Sequence, residues 1–129
     1  MKKEAAQKIV IIGCGNVAWH LAKQLNKSGS FSLLVVNHKP NQLLRAFKQL
    51  LKCETAVGLD KISNDADFYF ICVSDRHIST VSKKIHPAKP GALIVHTSGS
   101  AKITEIKTRT DNKGVFYPLQ TFSKNDAVN

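Results

Sequence analysis

Apolar residues along this chain follow two rhythms. Residues 8–12 run into four consecutive aliphatic positions and stop at Gly13, as expected for a strand buried on both faces. From Asn16 the period lengthens. Val17, Leu21 and Leu25 recur every fourth residue beside Ala18 and Ala22, and Gly29 follows. That spacing predicts a helix of about three turns closed by glycine. Residues 31–36 read as a second strand. Pro40 or Asn41 opens a second helix with an apolar face of Leu43, Leu44, Phe47, Leu50 and Leu51. Residues 56–58 are a weak third strand and 68–73 the strongest one. Ile78, Val81 and Ile85 predict a short helix, and residues 92–96 a fifth strand. Ile103 and Ile106 mark another helix, and residues 115–117 a sixth strand ended by Pro118.

Strand runs alternate with helical runs, and no two strands are joined by a two-residue turn. Parallel pairing through crossovers follows. With right-handed crossovers, the expected architecture is a doubly wound α/β domain of three layers. Its mostly parallel sheet would hold about six strands in the order 3-2-1-4-5-6.

The loop Gly13-Cys14-Gly15-Asn16-Val17-Ala18 follows a buried strand and opens an amphipathic helix, the context of a Rossmann-type diphosphate loop. Gly13 would make the turn, Gly15 would let a pyrophosphate approach, and Ala18 would keep the helix close to the sheet. Exposed N–H groups and the positive helix end would face the phosphates. The alternative is an ordinary tight strand-to-helix turn. Trp19, the single tryptophan, lies one turn into this helix, where its fluorescence is expected to report a bound dinucleotide.

A carboxylate at the tip of the second strand usually binds the ribose hydroxyl of NAD. This chain has Asn37, His38 and Lys39 there, which favours the 2′-phosphate of NADP over NAD; the alternative is that Asn37 caps a turn while His38 and Lys39 are merely solvated. Val73 and Ser74 are expected beneath the nicotinamide ribose. Asp75 either bonds a hydroxyl or caps the next helix. Thr97, Ser98, Gly99 and Ser100 follow the fifth strand at the same sheet edge, suited to a carboxylate or developing oxyanion, or to plain capping by Ser100. His96 is either a proton donor or a buried, hydrogen-bonded side chain. His96, Ser98 and Asp75 are therefore the catalytic candidates.

Composition trims the alternatives. The 129 residues suit one domain, with no run long enough for a membrane span and no signal-peptide h-region, so a cytoplasmic location is expected. Cys14, Cys53 and Cys72 form neither a disulfide framework nor a metal-ligand spacing, so no metal is expected. Cys14 is either a small loop residue or a thiol acidified by the helix N-terminus. Nineteen Lys and Arg against nine Asp and Glu give a net charge of +10. The basic residues are scattered, with no arginine-rich stripe or stacking pattern, so no nucleic-acid partner is expected.

Four segments resemble one family: residues 12–18 with His20-Leu21, residues 66–75, His96-Thr97-Ser98-Gly99-Ser100, and Tyr117-Pro118-Leu119-Gln120-Thr121-Phe122-Ser123. It is the bacterial Rossmann-like NADP oxidoreductase family whose members carry a second, helical domain of unknown function. That family is similar to pyrroline-5-carboxylate reductase and to the NADP reductases that use a deazaflavin. The resemblance implies a dinucleotide-binding domain over residues 1–117 and a linker over 118–129 toward a missing helical domain. That domain would close the cleft and build a homodimer. By the same resemblance Gly13, Gly15, Asn16 and Val17 line the pyrophosphate, and Asn37, His38 and Lys39 the adenosine phosphate. Ser74, Asp75, His96, Thr97 and Ser98 approach the nicotinamide. The function implied is hydride transfer between NADPH and an unnamed small carbonyl or imine, with the domain inactive alone. The second reading is a non-catalytic nucleotide-binding or sensing module.

Overall fold

In the computed structural model, which describes residues 7–117, β1 (Gln7–Ile12) stands at the centre of the sheet. It pairs in parallel with β2 (Phe31–Asn37) on one side and β4 (Phe68–Ile71) on the other. Ile12 therefore lies between Val36 and Ile71. Outward follow β3 (Glu54–Val57) beside β2, then β5 (Leu93–His96) and β6 (Lys113–Val115) beyond β4. All pairings are parallel and the order is 3-2-1-4-5-6, as the sequence predicts.

The four-residue apolar run of β1 is explained by the alternation of a strand. Ile9 and Ile11 join one core with Ala18 and Ala22 of α1 (Asn16–Ser28) and Leu44, Phe47 and Leu51 of α2 (Leu43–Leu51). Val10 and Ile12 join the other core with Ile78 and Val81 of α3 (Asp75–Ser82), Tyr69 and Ile94. Each fully buried aliphatic side chain contributes about 1.5–3 kcal/mol, so both layers are held by the one strand.

Several elements depart from the expected bounds. Strand β3 runs over Glu54–Val57 rather than residues 56–58, and β4 ends at Ile71 rather than at residue 73. Helix α2 starts at Leu43 rather than at Pro40 or Asn41, because the Asn41 Oδ1 accepts the Leu43 N–H at 2.8 Å and forms a turn before the helix. Its Leu43 and Leu50 are exposed, so the core takes a narrower stripe than the sequence pattern offers. The helix expected around Ile103 and Ile106 is a single 3-10 turn, Ile103–Glu105. Tertiary hydrogen bonds claim its backbone: Lys102 gives its carbonyl to His96, and the Lys107 N–H is bound by Ser82. The last strand lies at Lys113–Val115, earlier than residues 115–117. Beyond it the Phe116 N–H still donates to the His96 carbonyl at 2.9 Å, and its ring meets Phe70 edge-on at 6.2 Å. The expected linker, residues 118–129, lies outside the described residues.

Candidate functional site

The carboxyl ends of β1 and β4 are neighbours from which the chain departs to opposite faces of the sheet, which leaves a crevice between them. Gly13 makes the exit from β1. Its φ of +113° is one that side chains rarely adopt, and a Cβ there would stand 2.2 Å from the Cys72 carbonyl oxygen. Its N–H donates to the Val36 carbonyl at 2.8 Å, and the Cys72 N–H donates to the Ile12 carbonyl at 2.8 Å. The loop is thereby pinned to both neighbouring strands.

Gly15 is a glycine for another reason. Its φ of −84° is open to any residue, and a Cβ added there would meet no protein atom within 4 Å. It precedes α1, whose N-terminus has no side-chain cap and no acidic residue in its first turn. Gly15 lines a cleft of about 500 Å³ and also the neighbouring groove between α1 and α2. A diphosphate fits this cradle chemically: main-chain donors, a positive helix end and no competing carboxylate. Ala18 is fully buried against the sheet.

The cleft gathers Gly13, Cys14 and Gly15 from the loop, Asn37, His38 and Lys39 from the tip of β2, and Val73 and Ser74 from the end of β4. Asn37 is buried, and its side-chain amide donates to the Lys39 carbonyl at 2.8 Å. It shapes the turn, which leaves His38 and Lys39 as the exposed groups at that end. His77, Thr80 and Val81 form the wall contributed by α3, with Asn41, Leu43 and Leu59 opposite. None of these six was among the candidate site residues read from the sequence. Spacing of three and four along α3 is the signal that places His77, Thr80 and Val81 on one face. Leu59 gave no signal.

Asn16, Val17, Asp75, His96, Thr97 and Ser98 are not among the residues lining this cleft. Asn16 and Val17 begin α1 beside it. Thr97 is buried, its hydroxyl turned to the Ile71 carbonyl. His96 is fully buried. Its Nδ1 accepts the Ser98 N–H at 3.1 Å and its Nε2 lies 3.1 Å from the Lys102 carbonyl, so the proton sits on Nε2. Ser98 Oγ in turn accepts the N–H groups of Ser100 and Ala101. The Ser100 hydroxyl donates to Asp75 Oδ2 at 2.6 Å, joining the fifth-strand loop to the start of α3. Hydrogen bonds from Ser100 and Ser98 hold the Asp75 carboxyl below its ordinary value, so it is an acceptor at neutral pH. Ser74 Oγ and His77 Nδ1 are 2.8 Å apart.

Trp19 meets Phe47 edge-on at 5.1 Å and lines a separate groove between α1 and α2 rather than the cleft. The Cys14 thiol is not acidified: burial pushes it up, and it pushes Cys72 up to about 12. Among the described residues no helix is long and apolar enough to cross a membrane.

Residues 8–100 match the family model described as NADP oxidoreductase, coenzyme F420-dependent. No curated protein matches the chain. Among solved structures, a Bacteroides fragilis protein provisionally named an NADP oxidoreductase is 30% identical, with a TM-score of 0.76 over 94% of this chain and 47% of that one. Pyrroline-5-carboxylate reductase from Coxiella burnetii is 19% identical, with a TM-score of 0.67 over 79% of this chain and 39% of that one. Prephenate dehydrogenase from A. aeolicus, solved with NAD+ and hydroxyphenyl propionate, is also 19% identical, with a TM-score of 0.65 over 81% and 38%. The latter two share the fold. The chain spans less than half the length of each of these structures.

Proposed function

The chain belongs to the NADP oxidoreductase, coenzyme F420-dependent family, and from that premise we propose that residues 1–117 form the NADP-binding domain of an oxidoreductase acting on a small carbonyl or imine. The observation that carries this reading is Gly15. The fold itself has no need of a glycine there: a Cβ would meet open space, and the residue lines the cleft. The first-turn amides of α1 hold the diphosphate. When bound, the nicotinamide supplies or accepts the hydride.

The preference for NADP over NAD rests on the tip of β2. No carboxylate is there to bind a free ribose hydroxyl or repel a phosphate, and His38 and Lys39 are exposed beside the cleft. A charge-assisted hydrogen bond is worth about 1.5–3 kcal/mol, enough for about tenfold discrimination. Val73 and Ser74 lie toward the nicotinamide end. The acceptor Asp75 and the hydroxyls of Ser98 and Ser100 form a polar array at that edge that orients the substrate. His96 acts through the loop it holds, as a positioning residue.

Calorimetric titration of the chain with NADPH and NADH tests this. Tighter binding of NADPH is expected. Equal affinities overturn the role of His38 and Lys39, and failure of both to bind removes the cofactor assignment.

A further inference from the structure

Parallel topology puts the two ends of α3 at opposite edges of the sheet. Its first residues follow β4 and border the cleft, whereas Lys83 and the chain leading to β5 sit at the amino-terminal edge. There a second groove of about 410 Å³ is lined by Lys83, His86, Lys107 and Arg109, over Ile85 and Pro87. The four basic side chains are exposed. Among the described residues no carboxylate lines the groove, and the ion pairs Lys8–Asp65 and Lys89–Asp67 lie elsewhere.

The two segments carrying these charges are fastened together. Ser82 Oγ accepts the Lys107 N–H at 2.7 Å, and the Thr108 hydroxyl donates to the Ser82 carbonyl at 2.7 Å. Ser82 Oγ also donates to the Ser79 carbonyl at 2.8 Å, which ties the junction to α3. Ser82 and Thr108 are buried. The backbone thus brings the two basic segments to one groove, and among the described residues no ion pair neutralises their charges.

We propose that this groove is an anion site, distinct from the cofactor cleft, for the linked phosphates of a free polyphosphate or of a nucleotide tail. Three permanent cations and an imidazole match several phosphate charges at once, and Lys and Arg donate charge-assisted hydrogen bonds to phosphate oxygens. A groove of about 410 Å³ suits a small molecule.

The test is titration of the chain with sodium tripolyphosphate, followed by amide chemical shifts and calorimetry at low salt. Shifts are expected at residues 83–87 and 107–109. The double variant Lys107→Ala, Arg109→Ala should weaken binding about tenfold or more. The pair Lys23→Ala, Lys27→Ala on α1, which removes the same charge, should change it little. Equal weakening by the two pairs means diffuse attraction to a basic protein and overturns the site. Shifts confined to residues 13–18 assign the anion to the cofactor cleft and also overturn it. ATP binding more tightly than tripolyphosphate identifies a nucleotide tail as the source; equal affinity identifies a free polyphosphate.

Discussion

Gly13 and Cys72 approach so closely that a Cβ on the glycine would stand 2.2 Å from the carbonyl oxygen of the cysteine. Neither partner can retreat, because the Cys72 N–H is bonded to Ile12 and the Gly13 N–H to Val36. Gly13→Ala should therefore cost about 2–4 kcal/mol, combining backbone strain with a forced shift. Gly15→Ala should cost less than about 1 kcal/mol, because the site is open and only a helix cap changes. NADPH binding should weaken about tenfold in that variant, as the methyl fills the cradle. Urea unfolding and calorimetry separate the two effects. A Gly15→Ala variant as unstable as Gly13→Ala would mean that Gly15 serves the fold alone.

Lys39→Ala should lower the ratio of NADPH to NADH affinity about tenfold, mostly through weaker NADPH binding. Titration with both cofactors reads this out. An unchanged ratio removes Lys39 from phosphate recognition.

Burial of His96 makes it a stability determinant. In His96→Leu, the part-buried Ser98 N–H loses its acceptor, while the Lys102 carbonyl keeps the Glu105 N–H. An unsatisfied donor costs about 1–3 kcal/mol, so thermal unfolding should fall by several degrees. His96→Asn retains an acceptor for Ser98 and should recover part of the loss.

At the other edge of the sheet, acid should loosen the entry to β1. A hydrogen bond from Ser63, then one from Lys8, holds Asp65 down at about 2. The main-chain N–H of Lys8 and then the Lys89 ammonium lower Asp67. A carboxyl whose value is depressed by folding stabilises above its unfolded value, about 3.9, and that stability is lost as pH falls through the folded value. Melting temperature should drop between about pH 4 and pH 2. Lys8→Met, which removes the ammonium that bonds Asp65, should flatten the drop, as should added salt. A drop of the same size in Lys8→Met rules this pairing out.

The three cysteines should resist alkylation. Burial raises Cys14 and Cys53 and pushes Cys72 up to about 12, so the nucleophilic thiolate is scarce near neutral pH. Iodoacetamide at pH 7.5 should modify the native chain far more slowly than the urea-unfolded one. Rapid labelling of Cys14 would show a thiol acidified by the start of α1.

Strand order was legible because each strand of a parallel sheet is an apolar run and each crossover changes the period. The glycine loop between β1 and α1 was legible because Gly13 and Gly15 stand within three residues of each other at the change of period. What sequence left open depends on partners far along the chain. His96 could be read as a proton donor or as a buried residue until Ser98 and Lys102 were seen to occupy both ring nitrogens. Asn37 was read as a phosphate ligand or a turn cap; it lines the cleft, and one of its amide hydrogens goes to the Lys39 carbonyl two residues away. The helix expected around Ile103 is missing because Ser82, on another element, holds the amide of Lys107. Periodicity along one segment carries none of these claims.

Placing the loop on the central strand has an evolutionary consequence. Every residue of β1 from Ile9 to Ile12 packs into one core or the other, and none faces water. Drift in sequence is therefore least tolerated in the strand that aims Gly13 and Gly15. The marginal strands β3 and β6 hold half-exposed side chains and can vary without moving the aim. Descendants of such a chain can remodel the rim to suit new substrates while the phosphate grip is inherited intact.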